Sequence, residues 1–163
     1  RLAIEKAEQE RLAIEKAEQE RLAIEKAEKE KIVVKNAEYY LELGVERMKA
    51  DESGRFDMTY KDWSYVIENM NKSLDLDSDF LYAYLFRGNA YYYMQEYRKS
   101  MKDYKKITRV PKKRFKSSEE LSLLSMAYNG LGNAKLKLKL NYCREYKKAC
   151  DLGDCSEYYG LCK

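Results

Sequence analysis

A ten-residue repeat at the amino terminus constrains the fold more than any other feature of the chain. The segment RLAIEKAEQE occupies residues 1–10, recurs at 11–20, and returns over 21–28 before the ending KE. Every residue type in it except Ile is a strong helix former, and no Gly or Pro precedes Gly44. The sequence therefore predicts one continuous charged helix from Arg1 to about Ala50.

The repeat length does not match the period of a coiled coil. Ten residues turn an α-helix through about 1000°, roughly 80° short of three turns, so Leu2, Leu12 and Leu22 drift around its surface. Residues 1–35 are therefore predicted to be a rigid spacer. There are two alternatives to a spacer. The segment could self-associate through its Leu, Ile and Ala surface, or it could be an engineered extension. The sequence opens inside a repeat without Met, which is compatible with a leader or further repeats upstream.

Composition excludes several classes of function. Among 163 residues there is no His, which removes Ser-His and Cys-His nucleophiles and the commonest metal ligand. One Pro and a charged fraction of 37% are typical of solvated helices rather than a turn-rich β-sandwich. No apolar run approaches the roughly 20 residues that span a bilayer. We expect an all-α, noncatalytic protein with no cofactor, no metal and no transmembrane segment.

Three later segments share an internal order of residues. They are AEYYLELGVERM at 37–48, LYAYLFRGNAYYYM at 81–94 and LLSMAYNGLGNAKL at 123–136, and each precedes a second amphipathic segment. This order resembles the tetratricopeptide repeat, a helical hairpin of about 34 residues. The resemblance implies about three stacked hairpins within residues 36–154, and residues 155–163 are expected to form a capping helix.

The middle segment carries the resemblance most fully. Gly88 is expected to let the two helices approach closely, with Tyr104 filling the gap beside it. Ile107 departs from the small residue that the family has at this position. The outer copies are degenerate, and insertions are expected at 51–59 and near 111–120. The matching residues of the middle copy are Tyr84, Gly88, Tyr91, Ser100 and Tyr104.

The same resemblance implies a concave surface that binds a peptide or a partner helix. In this family the first helix of each hairpin lines such a groove. The alternative is that these side chains form the core between repeats, as an aromatic stripe at helical spacing usually does. Carried over position by position, the groove residues are Tyr82, Leu85, Asn89, Tyr92, Tyr93, Leu41, Val45 and Leu131.

A basic stretch follows the middle segment and contains only one acid, Asp103. Residues 38–79 are instead rich in acids, so the charge is polarised and could steer acidic partners. An acidic protein, an anionic lipid surface and a merely solvated face are the alternatives. Nucleic acid is disfavoured because no recognisable docking element accompanies the stretch. The basic residues are Arg98, Lys99, Lys102, Lys105, Lys106, Arg109, Lys112, Lys113, Arg114 and Lys116.

Four cysteines form the symmetric pattern C-x6-C-x4-C-x6-C. A helical hairpin that turns at Gly153 places Cys150 opposite Cys155 and Cys143 opposite Cys162. The pattern predicts two disulfides, with reduced thiols as the alternative. One metal site fits poorly because cysteines two helical turns apart are separated by about 10.5 Å. The ending is also weakly similar to cysteine-bearing hairpins of exported Sel1-like repeat proteins. Oxidised cysteines would favour a bacterial periplasmic or secreted protein over a cytosolic one.

Overall fold

A computed structural model describes residues 2–48 and 58–162, and its regular elements are helices. No residue in these two ranges belongs to a β-strand, which confirms the all-α prediction. None of the described helices is apolar over a length that would cross a bilayer. The helices are α1 (Leu2–Arg47), α2 (Tyr60–Leu76), α3 (Leu81–Tyr93), α4 (Tyr97–Thr108), α5 (Ser118–Lys137), α6 (Cys143–Cys150) and α7 (Ser156–Leu161), with a 3₁₀ helix at Lys112–Arg114.

The chain divides into two units, Arg1–Asn36 and Ala37–Lys163. The first consists of the repetitive part of α1, in which Lys29 and Glu25 form an ion pair of 2.7 Å. Within residues 8–36, the apolar side chains are exposed and, given their spacing, spread around the helix, as the ten-residue period predicts. They include Leu12, Ile14, Leu22, Ile24 and Ile32.

The second unit packs the remaining helices against their sequence neighbours from α2 to α7, and α3 also contacts α5. Two apolar clusters fill it. One cluster joins the end of α1 and α2 with α3 and includes Trp63 and Met70. The other joins α3, α4 and α5 and includes Tyr104 and Leu131. The predicted insertion at 51–59 lies mostly outside the described residues.

Capping boxes set where α2 and α5 begin. Thr59 accepts from the backbone N–H of Asp62, whose carboxylate accepts in return from the Thr59 N–H at 2.9 Å. The Thr59 hydroxyl, the Thr59 backbone N–H and Arg47 together lower the pKa of Asp62 to about 2. Ser117 and Glu120 form the same arrangement before α5. These reciprocal bonds satisfy backbone donors that would otherwise lack partners.

Glycines let two tyrosine rings into the spaces between helices. A Cβ added to Gly88 would lie 2.9 Å from Tyr104 Cε1, and one added to Gly130 would lie 2.7 Å from the same atom. The close packing predicted for Gly88 and Tyr104 is confirmed, and the ring reaches α5 as well. In the next hairpin, Gly132 makes the same space for Tyr146.

Each buried ring ends in a hydrogen bond to an asparagine. Tyr104 Oη donates to Asn89 Oδ1 at 2.6 Å, and Tyr146 Oη donates to Asn133 Oδ1 at 2.7 Å. Burial raises the pKa of both phenols, that of Tyr146 to about 12. Both hydroxyls therefore stay protonated at neutral pH and remain donors.

Replacing Gly130 by Ala is expected to destabilise the fold by about 1–2 kcal/mol, because overpacking against the rigid Tyr104 ring outweighs the helix propensity gained. Gly44→Ala is the matched control. Its added Cβ meets the terminal methyl of Met70, which can move aside. Urea denaturation followed by circular dichroism measures both, and equal effects of the two variants would contradict the close-packing account.

Candidate binding site on α4

Three cations of α4 and the arginine at its C-cap form one stripe along the exposed side of the helix. Arg98, Lys102, Lys105 and Arg109 follow one another at intervals of four, three and four residues, which places them on one helical face. Arg98, Lys102 and Arg109 are exposed, and Lys105 is half-buried. The stripe therefore presents its charge to solvent.

The single acid of the basic stretch points away from this stripe. Asp103 is only 3% exposed, and both of its carboxylate oxygens accept from Arg87, from Nε and Nη2, at 2.8 Å each. Arg87 also donates to Asn71 Oδ1 at 2.6 Å. Because this carboxylate is taken up by an internal pair, it does not neutralise the exposed cations.

Five of the predicted basic residues line one cavity of about 530 Å³, which we call the basic cavity. Among the described residues, no carboxylate lines it. Its remaining wall is aliphatic, so it offers both positive charge and apolar contact. It is lined by Arg98, Met101, Lys102, Lys105, Lys106, Arg109, Leu138 and Leu140.

The aliphatic wall depends on the turn that ends α5. The N–H of Lys139 donates to the Leu136 carbonyl at 3.0 Å, and the N–H of Leu140 donates to the Lys135 carbonyl at 2.9 Å. This pattern is a Schellman motif, in which the chain reverses through a left-handed residue. Lys139 has a φ of 55°, so it occupies the position where glycine is usual. The reversal brings Leu138 and Leu140 to the basic cavity.

A second cavity, of about 580 Å³, adjoins the first and shares Lys106 and Arg109 with it. We call it the aromatic cavity because Phe80, Tyr82 and Phe115 contribute to its walls. Its lining residues are Asp79, Phe80, Leu81, Tyr82, Lys106, Arg109, Val110, Pro111, Arg114, Phe115, Glu120 and Leu123.

Other predicted basic residues lie away from these cavities or are paired. Lys99 forms an ion pair with Glu96 and lies over the Tyr91 ring. Lys112 borders a small cavity beside Tyr128. The remaining two, Lys113 and Lys116, are exposed. Only part of the predicted basic stretch therefore forms a common surface.

Two of the predicted groove residues are core residues. Leu85 is 2% exposed and Leu131 is 4% exposed, and both belong to the cluster between α3, α4 and α5. Their burial fits the alternative interpretation, in which these side chains form the core between the helices. Asn89 is partly exposed, but its Oδ1 is occupied by Tyr104.

The other predicted groove residues do not meet at one place. Tyr82 lines the aromatic cavity, whereas Tyr92 and Tyr93 lie at the far end of α3, about 15 Å along the helix axis. Tyr93 stacks on Trp63 with ring centroids 4.6 Å apart. Burial away from water raises the pKa of Tyr92, and the neighbouring tyrosines and Glu157 raise it further. Leu41 and Val45 are both half-buried on α1.

Several residues of the two cavities were missed from the sequence. Leu138 and Leu140 belong to the segment KLKLKL at 135–140, in which Lys and Leu alternate. This alternation could have indicated that the leucines line an exposed surface at the end of α5. Phe80 and Phe115 gave no such signal, because they lie in connections whose placement depends on tertiary packing.

The structure forms the two predicted disulfides. Cys143 pairs with Cys162 at a Cα separation of 5.5 Å, and Cys150 pairs with Cys155 at 4.0 Å. Gly153 ends the preceding turn with a φ of 110°, as expected. In the described ranges no cysteine is free and no group of three or more potential ligands is arranged to hold a metal ion.

Comparison with known proteins finds no matching family model, no matching curated sequence and no similar solved structure.

Replacing Lys139 by Gly is expected to stabilise the fold by about 1 kcal/mol, because glycine adopts the left-handed turn without strain. Lys147→Gly removes the same charge inside α6 and is expected to cost about 1 kcal/mol. Thermal denaturation separates the two variants. A loss of stability in Lys139→Gly would show that the lysine side chain, rather than its backbone, holds this turn.

Removing the Cys143–Cys162 disulfide by two Ser substitutions is expected to lower the free energy of unfolding by about 3 kcal/mol, from loop entropy. Removing Cys150–Cys155, which closes a much shorter loop, is expected to cost about 1 kcal/mol less. Urea denaturation compares them. Equal losses would show that contacts of α7, rather than loop closure, determine the stabilisation.

Proposed function

We propose that residues 37–163 form a noncatalytic protein-interaction module that binds an acidic segment of a partner protein along α4. The basic cavity carries this proposal, because five cations surround it and no described carboxylate does. Like charges gathered at one surface repel one another. A ligand that supplies carboxylates relieves this repulsion, and the positive field speeds its approach.

The shape and walls of the cavity favour a protein segment over other polyanions. Met101, Leu138 and Leu140 give part of the surface an aliphatic character that suits side chains next to a carboxylate. A lipid headgroup surface would favour a flat basic face, whereas these cations border a concavity. Nucleic-acid recognition would favour a docking element, and the sequence contains none of the usual ones.

We further propose that the second unit is built of degenerate tetratricopeptide-like hairpins. Three observations support this arrangement: the consecutive packing of α3 with α4 and of α5 with α6, the contact of α3 with α5, and the Tyr104 ring between Gly88 and Gly130. In such an arrangement α4 is the second helix of its hairpin. The proposed site then lies outside the groove formed by the first helices.

The aromatic end of α3 is a second candidate surface. Tyr93 is 50% exposed and is supported from behind by the buried Trp63. A half-exposed, rigidly stacked tyrosine is well suited to contact a peptide or a partner helix. Binding at this surface would depend little on salt concentration, whereas binding on α4 would weaken as salt is raised. The salt dependence of the affinity therefore distinguishes the two surfaces.

Residues 1–36 are proposed to act as a spacer, with self-association as the alternative. The spread of exposed Leu and Ile around α1 supports the spacer, because the side chains described between residues 8 and 36 form no continuous apolar seam. For the whole chain we propose an oxidising compartment, such as the bacterial periplasm or the extracellular space. The two disulfides support that location.

The double variant Lys102→Gln, Lys105→Gln is expected to weaken binding of a fluorescein-labelled Glu-Ala peptide about tenfold, because it removes two cations from the basic cavity. The control Lys16→Gln, Lys26→Gln has the same net charge and is expected to stay within about twofold of the unchanged chain. Fluorescence anisotropy measures the affinities. Raising sodium chloride from about 50 to about 200 mM should weaken the native interaction strongly.

Equal weakening by both double variants would reduce the interaction to general charge attraction and contradict the assigned site. A third variant, Tyr93→Gln, tests the second candidate. Loss of a salt-independent interaction in that variant alone would move the binding surface to the aromatic end of α3.

A further inference from the structure

We infer that the aromatic cavity holds a large apolar side chain of the same acidic segment, so that the module selects acidic segments that carry an apolar anchor. This inference rests on the proposed function and names the class of segment that the site selects. Its basis is the position, the walls and the charge of the cavity.

The two cavities lie side by side on α4. Lys106 and Arg109 line both of them, so these two side chains form the boundary. A segment whose carboxylates contact Lys106 or Arg109 therefore lies within one side chain's reach of the aromatic cavity. A single extended segment can occupy both.

The floor of the aromatic cavity is preformed. Phe115 and Leu123 are buried members of the cluster between α3, α4 and α5, so the folded core holds them in place. Phe80 and Tyr82 add two rings whose centroids lie 6.2 Å apart in an edge-to-face arrangement. The volume of about 580 Å³ falls within the range of ligand cavities, about 300–1,000 Å³.

The charges at the rim favour an acidic neighbour for the anchor. Lys106, Arg109 and Arg114 supply three cations, against the carboxylates of Asp79 and Glu120. Glu120 keeps its negative charge, because its Oε2 accepts from the backbone N–H of Lys116 at 2.6 Å and that of Ser117 at 3.1 Å, and these bonds lower its pKa. The three cations outnumber the two carboxylates, so the rim is positive around an apolar floor, which suits an apolar side chain flanked by carboxylates.

The test uses the full chain and three labelled peptides of equal length. The first alternates Glu and Ala, the second replaces the central Ala by Trp, and the third keeps this Trp but replaces every Glu by Gln. On the native chain we expect the Glu peptide with Trp to bind about tenfold or more tighter than the Glu-Ala peptide. The uncharged Trp peptide should bind far more weakly than either.

Tyr82→Gln removes one ring from the cavity and is expected to reduce the advantage given by Trp to within about twofold. Tyr60→Gln is the matched control, because it removes a tyrosine that is 70% exposed at the start of α2 and lines neither cavity. It should leave the advantage unchanged. Circular dichroism verifies the fold of both variants, and comparing two peptides on the same variant cancels any general loss of folded protein.

Each outcome bears on one claim. Equal affinity of the two Glu peptides for the native chain would overturn the anchor cavity while leaving the proposed function standing. No salt-dependent binding of either Glu peptide would overturn the proposed function itself. Equal binding of the uncharged Trp peptide would make the cavity a plain apolar site and contradict the inference. Tighter binding of an oligothymidylate or of phosphatidylserine vesicles at the same salt would assign the surface to another class of polyanion.

Discussion

The Tyr104 ring is the contact on which the rest of the second unit depends. It extends from α4 into a space that exists only because Gly88 on α3 and Gly130 on α5 lack side chains. One side chain therefore sets the distance of α4 from both neighbours. Its hydroxyl ends on Asn89, so the buried polar group is satisfied without water. The position and rotation of α4 follow from this packing.

The rotation of α4 in turn determines which charges reach solvent. Asp103 precedes Tyr104 and is carried inward with it, where Arg87 holds both oxygens. The cations at intervals of three and four residues are carried outward. The exposed face of α4 is therefore almost entirely positive, because the single acid of the helix, Asp103, is paired with Arg87 in the interior. The basic cavity is a consequence of core packing as much as of composition.

The sequence predicted helical content, the pairing of all four cysteines and the glycine beside Tyr104, since each depends on local spacing. It located the cations of the basic cavity but not its aliphatic wall, which requires Lys139 to adopt a left-handed conformation that its residue type disfavours. The pattern of Leu85 and Leu131 is equally compatible with a groove and a core, and the structure buries both side chains. Which of these two interpretations holds depends on the distance between α3 and α5, and Gly130 and Tyr104 set that distance.

In the proposed tetratricopeptide-like arrangement, a site on α4 that also uses the end of α5 spans two successive hairpins. In helical repeats each hairpin is stabilised largely by its interfaces with the neighbouring hairpins, so the docking of one hairpin on the next contributes to the stability of the whole domain. A ligand that contacts Arg98 on one side and Leu140 on the other bridges this interface. Because it binds only when the two hairpins are docked, its binding free energy adds to their docking. The docking of α4 on α5 and binding at the proposed surface are then thermodynamically coupled.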